Sequence, residues 1–101
     1  MEYWSLIQED TSKCYLSGNV GWLEWHHVFG GAFKKISEKN GFMVRLNHHF
    51  HNEPPCKQNF GLGSAHFNKE VREKLQRDCQ IAYEEHHTRE EFIKLIGRNY
   101  L

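Results

Sequence analysis

The chain has 101 residues, 39% hydrophobic and 26% charged, the make-up of one globular domain (1–101) whose modest core gains from a staple such as a structural metal. Its 13 basic and 13 acidic residues cancel, which argues against tight, unassisted nucleic-acid binding, because phosphate neutralisation supplies most non-specific affinity. No apolar run approaches the ~20 residues of a membrane span, and the opening MEYWSLIQED lacks the basic-then-apolar order of a secretory signal, so a cytoplasmic protein with no membrane contact is expected.

In chain order, residues 1–13 read as an irregular or short helical arm in which Tyr3, Trp4, Leu6 and Ile7 are available to pack. Ser17-Gly18-Asn19 is turn chemistry. Trp22 to Phe29, rich in aromatic and aliphatic residues, reads as a strand ended by Gly30-Gly31. Residues 32–41 read as a loop with one helical turn, closed by Asn40-Gly41, and Phe42 to Leu46 as a second strand, giving an antiparallel hairpin with a long connection. Residues 52–65 hold both prolines and form a loop. Asn68 caps a helix starting at Lys69, with Val71, Leu75, Cys79 and Ala82 along one face. Thr88 and Glu91 make a capping box for a last helix, Phe92, Leu95 and Ile96 form its apolar stripe, and Gly97 stops it.

Histidine is the unusual component. Of the 8 histidines, His26 and His27 sit together in the first strand, and His48, His49 and His51 crowd the end of the second. Neighbouring strand residues face opposite sides, so His26 and His27 do not aim at one point unless the strand ends there. Alone, such a pair is more often half core and half surface. His86 and His87 precede a helix cap and read as surface. The 3 cysteines, Cys14, Cys56 and Cys79, are odd in number and widely spaced, so they do not form a disulfide framework. Cys79 belongs to a helical apolar pattern, whereas Cys14 and Cys56 stand in polar, loop-like contexts open to a metal.

The pieces HHVFGGA, ISEKNGF, VRL, HN, HFNKE and EEFIKLIGRNYL, taken in order from Gln8 to the C terminus, resemble small HNH-type proteins of bacterial phages and prophages. The resemblance implies an α+β fold with a ββα-metal core: a two-stranded antiparallel hairpin packed with C-terminal helices. It also implies one divalent ion and, in active members, DNA cleavage. Phosphodiester hydrolysis needs a metal to stabilise charge on the phosphate and a base to activate water, and a neutral imidazole serves either need. By resemblance, His26, His51 and His66 are metal ligands, His27 is the general base, and Asn40 orients the loop and the base. Lys34, Lys35 and Arg45 are the candidate phosphate or partner contacts, although short charge runs are usually a solvated face.

The pattern also departs from the family. Many relatives carry a structural zinc on two paired-ligand knuckles. Here those positions read Cys14…Ser17 and Asn47…Phe50, and Ser, Asn and Phe are poor or impossible zinc ligands. Either that site is empty, or Cys56, His48 or His49 replace the lost ligands and join Cys14 as metal ligands. Phe33 and Asn40 also stand where relatives often have a polar residue and Tyr. The His26–His51–His66 set is kept while its surroundings change, and catalysis depends on surroundings more than binding does. The first expectation is therefore a non-catalytic metal-binding protein, zinc being the favoured ion. It would act in the bacterial host cell by inhibiting a host defence nuclease such as a CRISPR–Cas effector, with Trp4, Trp22, Trp25 and Phe33 as interface aromatics. The alternative is an active HNH DNA endonuclease using Mg²⁺, Mn²⁺ or Zn²⁺, with His27 as base. A DNA-binding accessory that does not cut is the third reading, disfavoured by the neutral charge.

Overall fold

A computed structural model describes residues 2–101. The fold is α+β, two antiparallel strands with four helices. Strand β1 (Leu23–His27) pairs with β2 (Met43–Asn47) in the register Leu23–Asn47, Trp25–Arg45, His27–Met43. The hairpin expected from the sequence is present, but β1 is shorter than the apolar run that suggested it. At its start Trp22 turns into the left-handed region, φ 48°. At its end the buried Ser37 hydroxyl takes both backbone groups of Phe29, accepting from N at 3.2 Å and donating to O at 2.7 Å. Phe29 thus has no ladder bonds left to offer.

The connection between the strands holds more helix than expected. A 3₁₀ turn (Gly31–Phe33) leads into α1 (Lys34–Asn40), which ends on Gly41 at φ 71°. Glycine is required there twice over: the left-handed cap favours it, and an added Cβ would lie 2.7 Å from the Trp4 ring. Among its described residues (2–13) the N-terminal arm forms no helix. It runs beside β2, with Leu6 N donating to Gly41 O (2.7 Å), Arg45 N to Gln8 Oε1 (2.9 Å) and Tyr15 N to Arg45 O (2.8 Å).

After β2 the chain makes a single helical turn, α2 (His48–His51), capped by the Asn47 side chain, then a loop containing a 3₁₀ turn (Lys57–Asn59). Helices α3 (Lys69–Tyr83) and α4 (Arg89–Ile96) start on Asn68 and Thr88 and α4 stops at Gly97, as the sequence indicates. Phe42, Val44 and Leu46 pack with Leu75 and Cys79 of α3 and with Phe92 and Ile96 of α4 to form the core. Strand alternation puts Glu24 and His26 on the same face of the hairpin as their cross-strand partners Leu46 and Val44. His26 therefore sits at the margin of the core, and Trp25, His27 and Arg45 on the opposite face. Among the described residues no helix is long and apolar enough to cross a membrane.

Candidate metal centre

Three chain segments converge on one point. His26 comes from β1, His51 is the last residue of α2, and His66 lies in the loop before α3. One ring nitrogen from each lies within 4.8 Å of the others, and the ring centroids are 4.9 to 5.2 Å apart. The backbone sets this up: Ala65 N donates to Phe50 O (2.9 Å) and His66 N to His51 O (3.3 Å), so the loop lies alongside α2 and delivers His66 next to His51.

The electrostatics favour neutral rings. His26 is only 4% exposed, and burial, with the neighbouring His51, His66 and His27, pushes its pKa from 6.5 down to about 3. Burial, His51, Arg72 and Lys34 lower His66 as well. Nδ1 of His26 is buried with no hydrogen-bond partner among the described residues, an orphaned polar atom of the kind that calls for a ligand. Behind His51 stands Glu24: His51 Nδ1 donates to Glu24 Oε1 at 2.8 Å, and His48 Nδ1 donates to the same oxygen at 3.0 Å. Burial alone would raise the Glu24 pKa, but these two hydrogen bonds outweigh it and hold the carboxyl below its ordinary value. With Nδ1–H committed to Glu24, the Nε2 lone pair of His51 is the one available to an ion. Three imidazoles, an orphaned nitrogen and a carboxylate-backed ring are a donor set that fits a divalent ion.

Not every expected residue joins this cluster. His27, on the opposite face, presents Nε2 to Glu38 Oε2 at 2.7 Å and lies edge-on to Tyr3, centroids 5.7 Å apart. Lys34 and Arg72 are near enough to His66 for their charges to act on it, whereas Lys35 is exposed on α1. Arg45 stacks its guanidinium 5.3 Å from the Trp25 ring centre, on the face away from the three histidines. Asn40 hydrogen-bonds Ile36 O in its own helix (2.9 Å). Ser37 instead holds the chain just past β1 through Phe29, and Glu38 bonds the His27 ring.

Cys14 is also separate from the triad. Its thiol is 2% exposed within the core and accepts from Ser17 N at 3.4 Å. Gly18 N also donates to Cys14 O at 2.8 Å, closing a turn, and Cys14 belongs to neither ligand cluster among the described residues. Asn47 is committed to capping α2 and to Gly21 O (2.6 Å). Sequence reasoning missed Glu24, Glu38 and Arg72. The signal for Glu24 was there, since it precedes His26 by two residues and strand alternation gives them one face. Comparison with known proteins finds no family model, no curated protein and no solved structure that matches the chain.

Proposed function

We propose that the chain is a divalent-metal-dependent DNA endonuclease of the HNH type, the reading the sequence placed second. The convergence of His26, His51 and His66, with Glu24 behind His51, carries it. The sequence favoured a non-catalytic protein because the surroundings of these ligands looked altered. The carboxylates of Glu24 and Glu38 supply such surroundings, one to a ligand and one to the base, and shift the balance toward chemistry.

His26, His51 and His66 would hold the divalent ion (zinc, Mg²⁺ or Mn²⁺), which when bound would supply Lewis-acid stabilisation of charge on the phosphate and the leaving oxygen. Lys34 and Arg72, beside His66, bind phosphate oxygens by charge-assisted hydrogen bonds. His27 takes the proton from the attacking water: Nε2–H donates to Glu38, which fixes the ring and leaves the Nδ1 lone pair for that proton. His26 and His27 face opposite ways, but they are the last two residues of β1, and on this reading the phosphate binds at the strand end, within reach of both.

The test is supercoiled-plasmid cleavage with Mg²⁺, Mn²⁺ and zinc in turn. The expected result is nicking that falls by about 10²–10⁴-fold in His27→Ala while metal content and fold are kept. Absence of cutting by protein whose triad is shown to hold metal would overturn the proposal.

One observation favours the binding reading. Trp22 (61% exposed), Phe60 (80%) and Leu62 (56%) form an exposed apolar rim, and aromatics of this kind anchor protein interfaces. On that reading the scaffold holds its metal for structure and inhibits a host defence nuclease, such as a CRISPR–Cas effector. Metal-loaded protein that does not cut but forms a complex with such a nuclease would support it.

A further inference from the structure

A second cluster of ligand-type side chains lies outside the triad. Donor atoms of His49, Glu53 and Cys56 all fall within 4.8 Å of one another. We propose that these three residues form a second metal site, specific for zinc, that braces the turn presenting His51.

The residues are held in place by their backbones, so the three side chains are kept together at one point. Asn59 is fully buried, and its single amide makes four bonds. Nδ2 donates to His49 O (2.9 Å) and Pro54 O (3.1 Å), and Oδ1 accepts from Cys56 N (2.9 Å) and Gly63 N (3.1 Å). Ser64, also buried, fixes Glu53 in the same way: its Oγ accepts from Glu53 N at 2.8 Å, and its N donates to Glu53 O at 2.9 Å. His49 and Glu53 are four residues apart, one helical turn, and their side chains already meet. Cys56 caps the 3₁₀ turn that follows. The Trp22 ring shelters the cluster, edge-on to His49 at 5.5 Å and stacked on His48 at 4.2 Å.

The donor set selects the ion. One thiolate, one imidazole and one carboxylate suit borderline-soft zinc, whereas hard Mg²⁺ and Ca²⁺ prefer all-oxygen sites. On binding, the Cys56 thiol gives its proton to solvent. Three protein ligands leave a fourth position for water, and a groove of ≈ 530 Å³ lined by Trp22, Asn47, His49, Phe50 and Phe60 adjoins the cluster. An ion here ties α2 to the loop that carries His66, so both ends of that loop become fixed relative to His51. The proposal is independent of whether the chain cuts DNA.

Cobalt(II) distinguishes the two sites, because the triad offers only nitrogen and this cluster offers sulfur. Metal-free protein titrated with cobalt should develop a near-ultraviolet thiolate-to-cobalt charge-transfer band. The band should vanish in Cys56→Ser and persist in Cys14→Ser and His26→Ala. Zinc bound after dialysis should fall from about two per chain to about one in Cys56→Ser, and to about one in His26→Ala, where the other site is lost. Glu53→Gln, which keeps size and fold, should weaken cobalt binding at the charge-transfer band by about tenfold or more. Absence of the band from the wild-type chain, or its survival in Cys56→Ser, would overturn the proposal. A chain that shows the band and leaves plasmid uncut would remove the nuclease reading and leave this site standing.

Discussion

Glu24 shows how much one side chain decides. Its carboxylate accepts from both His51 and His48, so it sets the tautomer of a ligand and anchors the single turn that bears it. Glu24→Gln keeps the shape and removes the charge. Metal affinity at the triad should fall by about 10–100-fold, measured by chelator competition, with little change in the circular dichroism of the loaded protein. Unchanged affinity would mean that His51 is oriented by packing alone. Asn40 and Ser37 make the converse point. Asn40 fills the position where the resemblance looked for an orienting residue, yet its amide is spent on its own helix. Ser37, unremarked in the sequence, is buried and holds the end of β1. A hydroxyl's partner eight residues away, across the intervening 3₁₀ turn, is not written in residue type.

At the scale of elements, what depends on local chemistry was legible. Asn68, the Thr88–Glu91 box and Gly97 punctuate α3 and α4 where the sequence places them, because caps satisfy backbone groups within one turn. Thr88 Oγ1 accepts from Glu91 N at 3.0 Å, and Glu91 Oε1 accepts from Thr88 N at 2.9 Å. Thr88→Ala should therefore cost about 1 kcal/mol, read as a lowered urea midpoint with unchanged slope. Elements made by tertiary contact were not legible. Helix α1 outgrew its expected single turn because Gly41 closes it against Trp4. The turn α2 exists because Asn47 caps it, at a position the resemblance assigned to a metal ligand.

For the whole molecule, the histidine cluster couples folding to protons and to metal. In the folded, metal-free chain His26 has its pKa depressed from 6.5 to about 3. The unfolded chain therefore binds a proton that the folded chain refuses throughout that window. Stability from this group is fully present above 6.5 and falls as pH drops toward about 3, by at most about 1.4 kcal/mol per pH unit. His66, lowered in the same direction, adds to the trend. Urea unfolding of chelator-treated protein across this range should show the acid-side loss, and His26→Phe should flatten it. Bound metal should raise stability at neutral pH and lose that gain in acid, since protons and the ion compete for the same lone pairs.

The sequence by itself determined the α+β class, the hairpin and the starts of both long helices, because alternation, capping and loop punctuation are short-range; His26, His51 and His66 were brought together only by the family resemblance. Only the tertiary structure decided which charged groups serve the site. Glu24 and Glu38 reach their imidazoles across strand and helix, Arg72 arrives from α3, and Arg45 is turned to the far face by strand parity. The grouping of Cys56 with Glu53 and His49 likewise depends on Asn59, whose amide closes a loop that residue types alone leave open.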